Sequence, residues 1–375
     1  MPATCINCGE SSRLISASLS VCARCVKDDW ANVGEHVAAV HSAGRARFGL
    51  PGKPPRGRDG IECHFCANKC SIPSGSIGYC GYRKRQDTRT GERIIGGTGT
   101  ANVSWYYDSL PTNCVGDWVC AGGTGCGYPK YAYSSGPERG YKNLAVFFRA
   151  CSFDCLFCQN WHYRSDSMRG DNASVDDLVA AVDDRTSCIC YFGGDPSPQL
   201  PFSIAASVRA REKNPGRILR ICWETNGSMN PALLPKMAHL TLDSGGCIKI
   251  DLKAWDERLH MALCGVSNKQ TLENFGMLAS MTNLRREPPP LIASTLLVPG
   301  YIDEEEVANI ASFTAKLNPE IPYSLLAFHP QFLMTDLPVT CRSHAERCLR
   351  AALSAGLKRV RLGNIHLLMR AEYQD

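Results

Sequence analysis

Cys151-Ser-Phe-Asp-Cys155-Leu-Phe-Cys158-Gln-Asn-Trp161 follows directly on the apolar run Asn143-Leu-Ala-Val-Phe-Phe148, and the reading of this stretch decides the fold. A short apolar run bounded by a polar loop reads as a buried strand. The loop after it carries three cysteines at C-x3-C-x2-C spacing. Three thiolates on one short loop can hold three irons of a [4Fe–4S] cluster and leave the fourth iron open to a substrate or cofactor. The competing readings are a zinc knuckle and a set of plain buried thiols.

The chain has 375 residues, enough for one large domain or two to three smaller ones. Its 21 Cys set it apart. Met1-Pro-Ala-Thr-Cys5 lacks a basic region followed by an apolar one, and no apolar run approaches a membrane span. The Cys sets therefore read as metal sites in a reducing, oxygen-poor cytoplasm, not as disulfides, and no membrane partner is expected. Formal net charge is +5. Each four-thiolate zinc site would subtract about two charges, because thiolates bind deprotonated. Charge alone makes no case for nucleic acid.

Four segments are expected. Residues 1–30 carry Cys5-Ile-Asn-Cys8 and Cys22-Ala-Arg-Cys25, a zinc-ribbon pattern. Such a piece is too small to bury a core, so the metal would fold it. It reads either as a docking module or as a structural staple. Residues 31–60 read as a helix, Trp30 to Ala43, and a mobile basic linker from Gly44 to Arg58, solvated or in contact with RNA. Residues 61–143 hold Cys63, Cys66, Cys70 and Cys80, a complete second site that fits Zn2+ or an auxiliary [4Fe–4S] cluster. A Gly- and Tyr-rich insertion follows, with Cys114, Cys120 and Cys126. These three read equally as ligands of another cluster and as unliganded thiols. The run Val119 to Gly127 is not a phosphate loop, since no Gly-Lys-Ser/Thr follows.

Residues 144–375 alternate strand and helix patterns. Strands are expected at Leu144–Phe148, Cys188–Phe192, Ile218–Trp223, Cys247–Asp251, Leu291–Val298 and Tyr323–Phe328, with a short one at Arg359–Leu362. Ser174 with Asp177 forms a capping box, Asp303 caps a later helix, and Ser343 with Glu346 opens the last, which ends at Gly356. Repeated strand–helix units give a parallel sheet with right-handed crossovers. The expected class is α/β, a partial (β/α)6 TIM-like barrel behind a Cys-rich N-terminal metal-binding region. Chemistry in such barrels sits at the C-terminal strand ends.

The Cys spacing, with Phe157 before the last Cys, resembles the radical S-adenosylmethionine (SAM) enzymes. Cys63 to Cys80 with Ile72, Gly75, Gly78 and Arg83 resembles the pyruvate formate-lyase-activating-enzyme-like group, and its AmmeMemoRadiSam-system members are nearest in pattern. Ala67 stands where that pattern has proline. The strand ends continue the resemblance. Gly193-Gly194-Asp195-Pro196 is similar to G-G-E-P, whose backbone meets the SAM amino group. Glu224-Thr225-Asn226-Gly227 is similar to D-T-N-G, and Asp251-Leu252-Lys253 to D-L-K. The resemblance implies acidic groups near SAM and a monovalent cation, with Lys253 near the SAM carboxylate. Val298-Pro299-Gly300 and Phe328-His329-Pro330 match further strand endings, with His329 near the methionine or ribose, and Gly363-Asn364 falls on the adenine side. The match covers about residues 61–83 and 144–365.

The resemblance implies a [4Fe–4S] cluster on Cys151, Cys155 and Cys158. That cluster would cleave SAM reductively to a 5′-deoxyadenosyl radical for hydrogen abstraction. A reductant such as flavodoxin or ferredoxin would supply the electron. The expected substrate is a protein or peptide, as for glycyl-radical activation. The alternatives are RNA and a small molecule. A reading of another class, a non-catalytic zinc-ribbon scaffold for RNA or protein, requires zinc at Cys151, Cys155 and Cys158.

Overall fold

The computed structural model describes residues 2–88, 91–94 and 96–373, with no side-chain description for 87–93. Eight strands form the main sheet: β1 (Val103–Ser109), β2 (Lys142–Phe148), β3 (Thr186–Gly193), β4 (Arg220–Thr225), β5 (Ile248–Asp251), β6 (Leu291–Leu297), β7 (Tyr323–Ala327) and β8 (Val360–Gly363). They lie side by side in chain order. β2 to β8 run parallel, and β1 pairs antiparallel with β2 at the edge. Six parallel strands and a short seventh make the expected partial barrel.

Side chains alternate across each strand. One face gives Ile189, Tyr191, Ile221, Trp223, Ile248 and Ile250 to the main apolar core. That core is shared with α3 (Val175–Ala180), α4 (Leu200–Lys213), α5 (Leu234–Ser244), α6 (Glu257–Cys264), α7 (Lys269–Ala279), α8 (Glu304–Leu317) and α9 (Arg342–Ser354). The other face lines the barrel interior, which in such folds is usually filled by bulky branched residues. Here Cys190, Cys222, Cys247 and Ile292 meet Val119 of the insertion.

Local signals place several helices. The Ser174–Asp177 capping box forms as expected. Asp303 accepts from the Glu306 amide at 2.9 Å and opens α8. The start of α9 differs: its N-cap is Cys341, without a side-chain cap. Ser343 Oγ instead donates to Glu372 at 2.5 Å, and Glu346 pairs with Arg342 at 3.9 Å, so neither is free to build the expected box.

Ahead of the barrel, the helix α1 (Ala23–Asp28) precedes a longer one, α2 (Trp30–Ala46), which runs past the expected end at Ala43. Arg45 lies inside it and is buried, with its guanidinium over the Tyr79 ring at 3.6 Å. Its Nε donates to Pro51 O at 2.6 Å, and Arg56 Nη1 donates to Asn68 O at 2.9 Å. The Gly44–Arg58 stretch is thus tied to the fold, because two of its arginines donate to main-chain carbonyls. The first residues dock on the barrel as well. Tyr301 Oη donates to Val21 O at 3.0 Å, and the Ala17 amide donates to Asp336 at 2.6 Å.

The insertion enters the barrel from the N-terminal strand ends. Trp118 Nε1 donates to Ser324 Oγ at 3.0 Å, and Arg361 pairs with Asp117 at 2.9 Å. Buried Glu138 holds Arg220 at 2.6 Å. Among the described residues, no helix is long and apolar enough to cross a membrane.

Candidate active site

The Cys151–Cys158 loop leaves the end of β2 and is fixed by backbone bonds to α6. The Asp154 amide donates to Cys264 O at 2.8 Å, and the Leu156 amide to Leu263 O at 2.9 Å. Asp154 itself is buried beneath His41, Arg164 and Arg45. His41 Nδ1 lies 2.9 Å away, Arg164 Nη2 3.0 Å and Arg45 Nη1 3.4 Å. Burial pushes the Asp154 carboxyl up, but the His41 hydrogen bond and the two guanidinium groups outweigh it and hold the pKa below its ordinary value.

The three loop sulfurs face a cavity of about 590 Å³. That is ample for a nucleoside-sized ligand. Phe157, Gly193, Gly194, Asp195, Glu224 and Thr225 share its wall, as do Asn226, Asp251, Lys253 and His329. Val298 is the exception among the expected positions: it is fully buried in the core beyond the end of β6.

Each strand end has a reason for its residues. A Cβ on Gly193 would come within 2.6 Å of the Phe148 amide, and one on Gly194 within 2.3 Å of Ala150 O. Gly193 also has φ +110°, which side chains rarely adopt. Asp195 is buried and turned inward, where it accepts from the Ser197 amide at 2.7 Å and the Asn226 amide at 2.6 Å. Its carboxylate thus joins the ends of β3 and β4. Asn226 Nδ2 in turn donates to Ser152 Oγ at 2.8 Å and approaches Cys151 Sγ at 3.8 Å. Lys253 Nζ meets Asp251 at 2.5 Å, and Asp251 accepts from Ser294 Oγ at 2.5 Å. Burial disfavours the Lys253 charge, but the Asp251 carboxylate outweighs it and raises its pKa. His329 is exposed at the rim.

Several groups on this cavity escape a reading of the sequence. Lys249 is buried and pairs with Glu224 at 2.6 Å. The available signal was period two, since Lys249 shares a strand face with Asp251. Cys114 lies 2.9 Å from Lys249 Nζ and donates to Glu224 at 3.2 Å. Arg164 lines the cavity, and its buried Nε and Nη1 have no hydrogen-bond partner among the described residues. No local pattern marks it in Trp161-His-Tyr-Arg164.

The donor set fits an iron–sulfur group. Burial pushes the Cys151 and Cys158 thiols up, and a contact with Cys264 does so for Cys155. Without a cation these sulfurs stay protonated; a bound metal reverses that. Unpaired Arg164 donors suit an anionic ligand beside them.

The other Cys sets differ in spacing. The sulfurs of Cys5, Cys8, Cys22 and Cys25 all lie within 4.8 Å of one another, close enough for a single tetrahedral ion. Cys63, Cys66, Cys70 and Cys80 are buried but form no group that tight. They adjoin the Cys151 loop, since Asn68 Nδ2 donates to Ser152 O at 2.7 Å. The insertion's three thiols do not converge: Cys114 faces Lys249, Cys120 packs against Cys190 and Cys222, and Cys126 donates to Val119 O.

Residues 145–313 match the Radical SAM superfamily. The chain is 25% identical over 319 residues to an uncharacterized protein of Methanocaldococcus jannaschii, covering 81% of each. It is 30% identical over 172 residues to the isethionate sulfite-lyase activating enzyme of Oleidesulfovibrio alaskensis, 43% of this chain and 50% of that one. It is 25% identical over 195 residues to pyruvate formate-lyase 1-activating enzyme of Escherichia coli, 49% of this chain and 73% of that one. The match thus spans only half the length of the isethionate sulfite-lyase activating enzyme. The segment that matches the Radical SAM superfamily holds β3 to β6 and the Cys151–Cys158 loop, which line the cavity, and the chain is similar to the activating enzymes.

Proposed function

We propose that Cys151, Cys155 and Cys158 hold a [4Fe–4S] cluster that binds SAM, and that the enzyme abstracts hydrogen from a protein or peptide substrate. One observation carries the reading: the sulfurs of one loop share a single cavity with Gly193, Asp251 and Lys253. When bound, the cluster and SAM supply a 5′-deoxyadenosyl radical by reductive cleavage.

The chain's own part is placement and shielding. Gly193 and Gly194 keep side chains away, so main chain can approach the ligand. Lys253, steadied by Asp251, offers a buried ammonium to a carboxylate. Arg164 offers its unpaired N–H groups beside Cys158. The surrounding wall keeps water from a reactive intermediate.

Two of the three relatives are called activating enzymes, which supports a protein substrate. Cys63, Cys66, Cys70 and Cys80 suit an auxiliary cluster that relays electrons, because their sulfurs are spaced more widely than those of the N-terminal set. That N-terminal set suits Zn2+. The proposed organisation keeps the four segments 1–30, 31–60, 61–143 and 144–375. Flavodoxin or ferredoxin in a reducing cytoplasm would donate the electron.

The test is anaerobic reconstitution, followed by iron and sulfide counts and by 5′-deoxyadenosine release from SAM with dithionite. Cys155→Ala is expected to abolish release. Equal turnover by that variant, or zinc alone at the loop, would overturn the assignment.

A further inference from the structure

Arg164 lies in the short helical turn Trp161–Ser165, which follows the Cys151–Cys158 loop, and it is buried. Its Nη2 donates to Asp154 Oδ1 at 3.0 Å. Its Nε and Nη1 are buried too, and they have no hydrogen-bond partner among the described residues. Arg45, the other guanidinium on Asp154, differs, because its donors also reach Pro51 O and Tyr79 O. One carboxylate thus faces two buried guanidinium groups, and the unanswered donors are those of Arg164. A buried donor without a partner carries its full desolvation cost.

The guanidinium is clamped as well as buried. Its Cζ lies 4.5 Å from the centroid of the Phe332 ring. Phe332 has φ +53°, a left-handed conformation that bulky side chains rarely adopt. Neighbouring contacts hold it there. The Leu333 amide donates to Leu156 O, inside the Cys loop, at 2.9 Å, and Trp161 stacks on the Phe332 ring at 5.6 Å. Strained backbone of this kind gathers at ligand sites. Arg164 lines the cavity that the three loop sulfurs face, and its positive charge acts on each of them.

We propose that Arg164, held by Asp154 and Phe332, donates from Nε and Nη1 to the sulfurs of the [4Fe–4S] group and raises the reduction potential of that group. The inference rests on the cluster reading given above and adds a residue that sets its redox behaviour. Net charge, burial and hydrogen bonds to the sulfurs set such potentials. A [4Fe–4S] core on three thiolates is an anion, and an added electron makes it more negative. A buried cation beside it therefore favours the reduced form, and the low local dielectric strengthens the effect. Asn226 Nδ2, 3.8 Å from Cys151 Sγ, adds a weaker, neutral donor. In the reading above Lys253 answers the ligand carboxylate, the other anion of this cavity, which leaves Arg164 to the cluster.

The experiment is an anaerobic redox titration of the reconstituted full chain, without SAM, followed by electron paramagnetic resonance. Arg164→Gln is expected to keep its iron and sulfide and to titrate at a more negative midpoint than the parent. Arg164→Lys, which keeps the charge, is expected to recover part of that shift. Arg164→Gln with full iron and the parent's midpoint would overturn the proposal. If that variant also bound SAM at least tenfold more weakly, Arg164 would belong to the ligand carboxylate instead. A measurement on the parent chain covers the case in which Arg164→Gln loses its cluster. With nitrogen-15 in the arginine guanidinium groups, pulsed paramagnetic resonance of the reduced cluster is expected to show a nitrogen-15 coupling. A spectrum without that coupling would overturn the proposal. A parent chain that takes up no iron, or a Cys155→Ala variant that keeps all of it, would sink the cluster reading and this inference with it. A filled cluster that ignores Arg164 sinks the inference alone.

Discussion

His41 Nδ1 and Asp154 Oδ2 meet at 2.9 Å across 113 positions of sequence, and both are buried. The helix before the barrel thereby reaches the centre of the Cys151–Cys158 loop.

Asp154→Asn removes the anion that His41, Arg45 and Arg164 share. Breaking a buried ion pair from one side costs about 3–5 kcal/mol, because the remaining charges stay unpaired. Urea unfolding should show a loss of that size. Iron retention after reconstitution should fall with it. An unchanged unfolding midpoint would show that the network does not support the loop.

His260 gives a pH dependence. It packs edge-on against Phe153 of the loop at 5.1 Å, its Nδ1 lies 2.7 Å from Val266 O, and its Nε2 has no hydrogen-bond partner among the described residues. Burial pushes its pKa down from 6.5 to about 4. The unfolded chain therefore takes up the proton near 6.5 and the folded chain only near 4. The stability from this group is complete above the higher value and drains away as pH falls toward the lower. Between pH 7 and pH 5 the loss should be about 2 kcal/mol. His260→Gln should flatten that part of the urea-midpoint profile.

Gly194→Ala forces a methyl group within 2.3 Å of Ala150 O. Overpacking of this kind costs about 1–3 kcal/mol. The chain should still fold, but the end of β3 must shift. SAM affinity, measured by calorimetry on reconstituted protein, should drop at least tenfold. Affinity equal to the parent's would mean that main chain at Gly194 does not contact the ligand.

With Zn2+ on Cys5, Cys8, Cys22 and Cys25, as proposed, a chelator should expose residues 2–22 to limited proteolysis, because so short a segment buries little core of its own. The sheet should stay intact, since its strands and the flanking helices supply most of the apolar core that the segment shares. Cleavage at the same rate with and without chelator would show that Tyr301 and Asp336 hold the segment unaided.

Much of the barrel was legible because local signals agreed with tertiary structure. The apolar runs gave the parallel strands, and the Ser174–Asp177 box formed as read. The strand-end residues, apart from Val298, reached one cavity because alternation and the barrel's polarity together place them there. What stayed hidden depended on distant partners. β1 carries exposed Tyr106 and Tyr107 and shows no apolar alternation, so only its pairing with β2 reveals it. Arg45 looked like linker charge because its carboxylate partner lies more than a hundred residues on. The inward thiols of β3 and β4 looked like ordinary strand residues, because Cys reads as apolar in a periodicity argument.

The loop that bears Cys155 is held by amide contacts to Leu263 and Cys264, and by His41 far upstream. Its final shape therefore cannot exist on the ribosome until the polypeptide has grown past Cys264. Filling of the proposed cluster site would then be a late step of maturation, and chains truncated before that point should emerge without a competent receptacle.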